Sequence, residues 1–482
     1  MSQTSTGRLW IVMAFLGLGM AAGGCGDDAD ELEEGKASLR VVNASPDAPA
    51  VDVYTAGNSS PLFTDLSYGQ TSDYRNLDAG TYTLEIRPAG AEASTPPLFT
   101  TTAVPLPDLS RTTAIAAGLV NSTSADESFR VLTFEEGFAV PADGNARVRI
   151  VHAAPRTPAV GVDVNNDGSA EIAALERFTA SPPEGIDLPA DSPLQLGIIS
   201  GAQPLASFTT PDLPEDGEVF LIAAGLPDQP PRLDTSFSLL ATNTSRTEDL
   251  PRIEQNPTLY TLNGSPDAPA VDVFVGDLEL ADDLSFAELS KPIQVPPGSY
   301  TIEVFAHEQG ATRPAGTPLA SQSTGDLDAG EQYLAIAAGF LAPGRDPVLR
   351  IDLYREEFDL STPEQARLRV VHAAPGTPAV DVGPIESGAV APLPDAEDVS
   401  FAEATPASGA TLNPGPIAIG AADTGTVTPV ATFPIVPEQG DRDFAVVVGS
   451  QTPASGEQPL QLVVVDTTTI PWTANLVSNQ QP

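Results

Sequence analysis

Three groups of residues in this sequence have types and spacings that could do chemistry. The first are carboxylates five positions apart, Asp47 with Asp52 and Asp267 with Asp272, with Asp381 in a matching stretch. Two carboxylates flanking a sugar bond are what glycoside hydrolysis needs. However, Asp47 and Asp267 directly follow prolines, where a short acidic side chain caps a turn. Asp52, Asp272 and Asp381 alternate with valines, so they occupy the opposite strand face, toward solvent or bonded to a neighbouring loop. Turn and strand chemistry therefore accounts for the spacing without a reaction.

The second group is the three histidines, His152, His307 and His372. His152 and His372 fall where matching stretches carry Asn43 and Asn263. Asparagine and histidine share a side chain that bonds nearby backbone, which suits a proline-rich turn, whereas catalysis or metal binding would not survive the exchange. The third group is Asp163, Asn165 and Asp167, followed by Gly168. Oxygens at positions one, three and five with glycine at six resemble the start of a calcium loop. The twelfth position is Ala174 rather than a bidentate glutamate, and Asn166-Asp167-Gly168 equally makes a hairpin turn. Apart from this calcium candidate, no metal, cofactor or catalytic residue is expected. The chain has no Gly-x-Ser-x-Gly, His-Glu-x-x-His or Gly-x-x-x-x-Gly-Lys.

One cysteine, Cys25, stands apart. It follows Arg8, an apolar run from Leu9 to Ala22, and the small residues Ala22-Gly23-Gly24. The run is shorter than the about 20 residues a membrane span needs, so residues 1–24 read as an export signal. The arrangement resembles the lipobox of bacterial lipoproteins, with Ala22 where leucine is usual, and implies that Cys25 carries the lipid. Residues 25–37, rich in Asp and Glu, read as a disordered acidic tether reaching roughly 40 Å. With no second cysteine, no internal disulfide can form. A net charge of −43 argues against nucleic acid as a partner, because phosphate contacts need clustered Lys and Arg.

These residues are set on short, period-two apolar runs bounded by Pro, Gly, Asp and Asn, the pattern of β-sandwiches. In the first unit the runs are 38–42, 50–54, 62–68, 81–87, 98–104, 113–119 and 129–134. Asn43-Ala44-Ser45-Pro46-Asp47-Ala48-Pro49-Ala50-Val51-Asp52-Val53 has counterparts beginning at Val151, Asn263 and His372. The proline turns are spaced by 109, 111 and 109 residues, a domain length rather than a solenoid unit. Asn43 and Asn263 are 220 apart, as are His152 and His372, so a two-domain unit was duplicated whole. Ile115-Ala116-Ala117-Gly118 and its three counterparts, ending at Gly225, Gly339 and Gly449, read as central strands buried on both sides.

The expected fold is therefore all-β: four tandem immunoglobulin-like antiparallel β-sandwich domains at 38–138, 146–243, 257–360 and 366–470, then a polar tail at 471–482. An eight-bladed β-propeller is the alternative. Ser45-Pro46-Asp47-Ala48-Pro49-Ala50-Val51-Asp52-Val53, Leu66-Ser67-Tyr68-Gly69 and Gly80-Thr81-Tyr82-Thr83-Leu84-Glu85-Ile86 resemble domain of unknown function 4397. The resemblance implies an exported bacterial protein with tandem copies and implies no activity. It weakens in the second and fourth units, where Arg156 and Gly376 replace Asp47. Together these readings point to a non-catalytic binding, adhesion or structural module, held to the membrane by its lipid at the outer membrane or cell surface. An envelope polymer or surface protein is the expected partner. An extracellular hydrolase is the competing class.

Overall fold

The computed structural model describes residues 32–92, 94–201, 203–244, 251–310 and 312–480. The expected signal, Cys25 and most of the tether lie outside the described residues. Every regular element among the described residues is a strand, and no helix there is long and apolar enough to cross a membrane. The chain forms successive two-sheet β-sandwiches, with no closure into a propeller.

The first repeat contains β1 (Lys36–Asn43), β2 (Val51–Thr55), β3 (Phe63–Leu66), β4 (Arg75–Asp78), β5 (Gly80–Tyr82), β6 (Leu84–Pro88), β7 (Phe99–Thr100), β8 (Val104–Leu106), β9 (Arg111–Ala117) and β10 (Arg130–Glu135). One sheet has the order β10-β9-β1-β4 and the other β3-β2-β6-β7, while β5 and β8 form a small ribbon. Leu39 and Val41 of β1, Val51 and Val53 of β2, Leu84 and Ile86 of β6, and Ala114 and Ala116 of β9 fill the space between the sheets. Strand β4 is not legible in the sequence. Its residues Arg75-Asn76-Leu77-Asp78 are mostly exposed, so no apolar alternation marks it. Lys36 and Ala37, expected in the tether, begin β1, and Ala37 is buried.

One pairing in each repeat is parallel: β1 runs alongside β9 from Ser38↔Arg111 to Asn43↔Ala116. The later repeats do the same with Asn145–His152 and Glu218–Ala224, Thr258–Asn263 and Gln332–Ala338, and Ala366–His372 and Arg442–Val448. A parallel pair needs a long crossover, and the whole second sheet supplies it.

The second face of the β9 sheet does not meet solvent. Val42, Ala44, Ile115 and Ala117 of repeat 1 pack against Val151, Ala153, Phe220, Ile222, Ala224 and Leu240 of repeat 2. Val42 and Val151, and likewise Ala44 and Ala153, are 109 residues apart, so equivalent faces meet head to head. Repeats 3 and 4 repeat the arrangement through Tyr260, Leu262, Ile336, Val371, Phe444, Val446 and Trp472. The domains are thus joined in pairs by apolar cores. A buried sheet face on each repeat leaves a large apolar area that only the neighbour covers.

Charges in the first seam are paired, as burial demands. Arg40, 2 % exposed, donates through Nε to Thr113 Oγ1 (2.8 Å) and through Nη1 to Thr242 Oγ1 and Asn243 O (2.9 Å each). Its Nε lies 3.6 Å from the Glu136 carboxylate, which also accepts from Tyr74 Oη (2.8 and 2.9 Å). The two pairs are tied together as well. Arg232 of repeat 2 donates to Glu356 Oε2 (2.9 Å) and Phe358 O (2.7 Å) of repeat 3. Ile253, between the expected domains at 146–243 and 257–360, is buried in the repeat 2 core and exchanges backbone hydrogen bonds with Leu239.

Residues 471–480 correct the expectation of a polar tail. Thr473–Ser478 pairs antiparallel with Gln461–Asp466 and adds a fifth strand to the last sheet. Trp472 is 4 % exposed and stacks on Tyr260, with ring centroids 4.2 Å apart and planes 6° apart. The aromatic anchor fixes this segment, and Ala474 and Val477 pack beside it on the two cores.

Candidate functional site

The repeated turn is held together by its own polar side chains. Asn43, fully buried, donates from Nδ2 to Leu66 O (2.9 Å) and accepts from Ser45 N at Oδ1 (3.2 Å). Ser45 Oγ donates to Gly118 O (2.7 Å), and Asp47 accepts from Val120 N (2.8 Å) and Asn121 N (2.9 Å). Asn263, Ser265 and Asp267 make the same bonds to Leu284 O, Gly339 O, Leu341 N and Ala342 N. Asp47 and Asp267 thus secure a turn to the loop after the Ala-Ala-Gly strand, a longer-range tie than a local cap.

His152 and His372 take the asparagine's place. Each is fully buried, with Nε2 bonded to Pro158 O (2.9 Å) or Pro378 O (3.1 Å). Burial holds both rings below the usual imidazole pKa, which keeps them neutral at pH 7.

Asp52, Asp272 and Asp381 are 5 %, 1 % and 7 % exposed, which decides between the two sequence alternatives in favour of loop bonding. Asp52 accepts from Asp65 N and Gly90 N (2.9 Å each). Asp272 accepts from Asp283 N (3.0 Å) and Glu308 N (2.9 Å), and Asp381 from Asp398 N (2.8 Å) and Gly425 N (3.2 Å). Asp65, Asp283 and Asp398 have φ of 57°, 52° and 56°; the first two sit where the strand pairing shifts register, and the third precedes the isolated bridge of Val399 to Val380. A buried carboxylate accepting two backbone N–H groups pins an irregular turn that has no ladder partner. The two aspartates of each five-residue pair therefore serve separate loops and do not converge as an acid and base.

Asp163, Asn165 and Asp167 are brought together in one turn. Asp163, 1 % exposed, accepts from Gly168 N (2.7 Å), Asp167 N (3.2 Å) and Asn165 N (3.3 Å). Asn165 Nδ2 donates to Asp167 Oδ2 (2.9 Å), and Val164 N donates to Glu171 Oε2 (2.8 Å). Asn166 and Gly168 have φ of 53° and 93°, so the segment is a left-handed turn closed by its own carboxylates.

His307 differs from the other histidines. It follows the strand Gly298–Ala306, with Nδ1 2.8 Å from Asp272 Oδ1 and 3.4 Å from Asp282 Oδ1. Asp272 holds its pKa above the usual value, first through their hydrogen bond. No spacing pattern predicts this group, because His307 and Asp272 are 35 positions apart and meet only through strand pairing.

Residues 37–163 and 257–383 match the family described as "Domain of unknown function (DUF4397)". The chain belongs to this family. The two DUF4397 matches cover more than half of the chain, in tandem. Each runs beyond the first repeat of a pair into the opening strands of the second, so it takes in residues from both sides of the seam. No curated protein matches the sequence. Among solved structures, a "putative cell adhesion protein" from Bacteroides uniformis ATCC 8492 is 13 % identical, with a TM-score of 0.18 over 45 % of this chain and 98 % of its own. The Bacillus anthracis TIE protein is 10 % identical, with a TM-score of 0.14 over 86 % of this chain and 68 % of its own. Both likenesses are too slight to bear on fold or function.

Proposed function

We propose that this chain is a lipid-anchored display module of the cell envelope, which binds or adheres through loops at the sandwich ends and catalyses nothing. One observation carries the reading. The polar side chains repeated from unit to unit are spent on holding turns and bulges, so what the repeats preserve is a scaffold. A scaffold of paired sandwiches presents loops at fixed spacing, the usual place for contact residues. An exterior of net −43 favours cationic or neutral partners and repels anionic ones. Cys25 is the proposed anchor, with an envelope polymer or surface protein as partner.

The test compares cells carrying the full chain with cells carrying Cys25→Ala on immobilised envelope polymer. The full chain should partition with detergent and retain cells. The variant should enter the aqueous phase and retain fewer. Unchanged partitioning refutes the anchor, and equal retention with altered partitioning refutes the adhesive role.

A further inference from the structure

We propose that Asp272, Asp282 and His307 form a binding site for a divalent first-row transition metal ion, zinc foremost. The three donor atoms, two carboxylate oxygens and one imidazole nitrogen, all lie within 4.8 Å of one another. They come from three elements held by backbone pairing: the strands Val271–Val275 and Leu278–Leu284, and the end of Gly298–Ala306. Asp272 is buried and its orientation is fixed by two backbone N–H groups, so the site has a rigid floor. Asp282 is exposed at its rim, which leaves an approach from solvent.

Two further observations separate this group from an ordinary acidic patch. Glu279, half-buried on the same strand as Asp282, has one shielded carboxylate oxygen, Oε1, without a hydrogen-bond partner. An enclosed carboxylate oxygen without a donor is an available ligand. The sister repeats supply the second observation. The backbone bond His307 N to Ala270 O has its equivalents in Ala89 N to Ala50 O and Thr424 N to Ala379 O. The residue preceding the left-handed aspartate is Asp282 here, but Thr64 in repeat 1 and Glu397 in repeat 4. Asp52 and Asp381 pin their loops without a histidine, so the fold does not require His307.

The donor set selects the metal. Imidazole with carboxylates suits zinc and its first-row neighbours better than calcium, which takes oxygen alone. Ligands about 2.1 Å from a tetrahedral ion stand roughly 3.4 Å apart. The His307–Asp282 separation already has that value, at 3.4 Å. The His307–Asp272 contact of 2.8 Å is a hydrogen bond that opens as the metal displaces the Nδ1 proton to solvent.

The full chain is titrated with ZnCl2 by calorimetry, alongside His307→Ala and Asp282→Asn. Asp272 keeps both backbone donors in each variant, so both should stay folded without metal, His307→Ala losing only its hydrogen bond to Asp272. One saturable site is expected, with affinity falling at least about tenfold in each variant, as loss of even an outer-shell partner does. Diethyl pyrocarbonate supplies an independent readout. His152 and His372 are fully buried, so His307 should be the single modified histidine and zinc should protect it. Zinc that binds His307→Ala as tightly as the original chain belongs to the diffuse acidic surface and overturns the site. Failure of zinc to protect His307 from modification overturns it equally.

Discussion

If the paired repeats share one core, truncating a seam residue of repeat 2 must loosen repeat 1. Phe220 is the most informative position. It is fully buried in the strand Glu218–Ala224 of repeat 2, with its side chain facing away from that repeat's own sandwich core. Its ring meets Phe138 edge-on at 5.2 Å and Phe134 at 6.4 Å, both from the repeat 1 side. The guanidinium groups of Arg40 and Arg149 lie 5.9 and 5.6 Å from its centroid. Replacing a buried phenylalanine by alanine costs about 3–5 kcal/mol through lost transfer energy and the cavity left behind. For a unit the size of two repeats this is a fall in melting temperature of roughly 6–20 °C. Hydrogen exchange on Phe220→Ala locates the effect. Peptides covering β1 and β9 of repeat 1 should exchange faster together with those covering Glu218–Ala224. Trp472, in the seam of repeats 3 and 4, is the only tryptophan among the described residues and reports the other pair. Its fluorescence transition should move much less. Unchanged exchange in β1 and β9, with loss confined to repeat 2, would falsify the shared core.

Two further outcomes follow from local chemistry. Gly225 has φ +86°, and a Cβ there would overlap the carbonyl of Ser236, so Gly225→Ala should cost at least about 3 kcal/mol; a melting temperature within a degree or so of the original would refute the close approach. Asp443 is buried beside Asp441 and Asp466, with Arg442 as the compensating charge, and burial pushes its pKa from 3.8 up to about 8. Between those values the folded chain holds a proton that the unfolded chain releases, so stability falls as pH rises through the window. Asp443→Asn should therefore gain on the original chain by up to about 1.4 kcal/mol per pH unit, read from urea melts between about pH 5 and about pH 8. A constant gap across that range would refute it.

The sequence by itself determined the repeat length, the all-β class, the tandem sandwiches and the doubled pair. These follow from patterns local to a strand or turn: Leu39 and Val41 facing one way, Val51 and Val53 flanking Asp52, and prolines and glycines at the bends. It also showed that the strand around Ile115 is buried on both sides, since an uninterrupted apolar run has no other stable setting. What covers the second side was decided only in three dimensions. An apolar face does not name its partner, and packing equivalent faces of neighbouring repeats was one of several ways to hide it. The same limit explains Thr473–Ser478, whose mixed polar and apolar side chains conceal a strand fixed by Trp472 on Tyr260. It also explains His307. Its neighbours in sequence predict nothing, because Asp272 and Asp282 reach it through strand pairing and a bulge, and contacts made by register across strands leave no spacing to read.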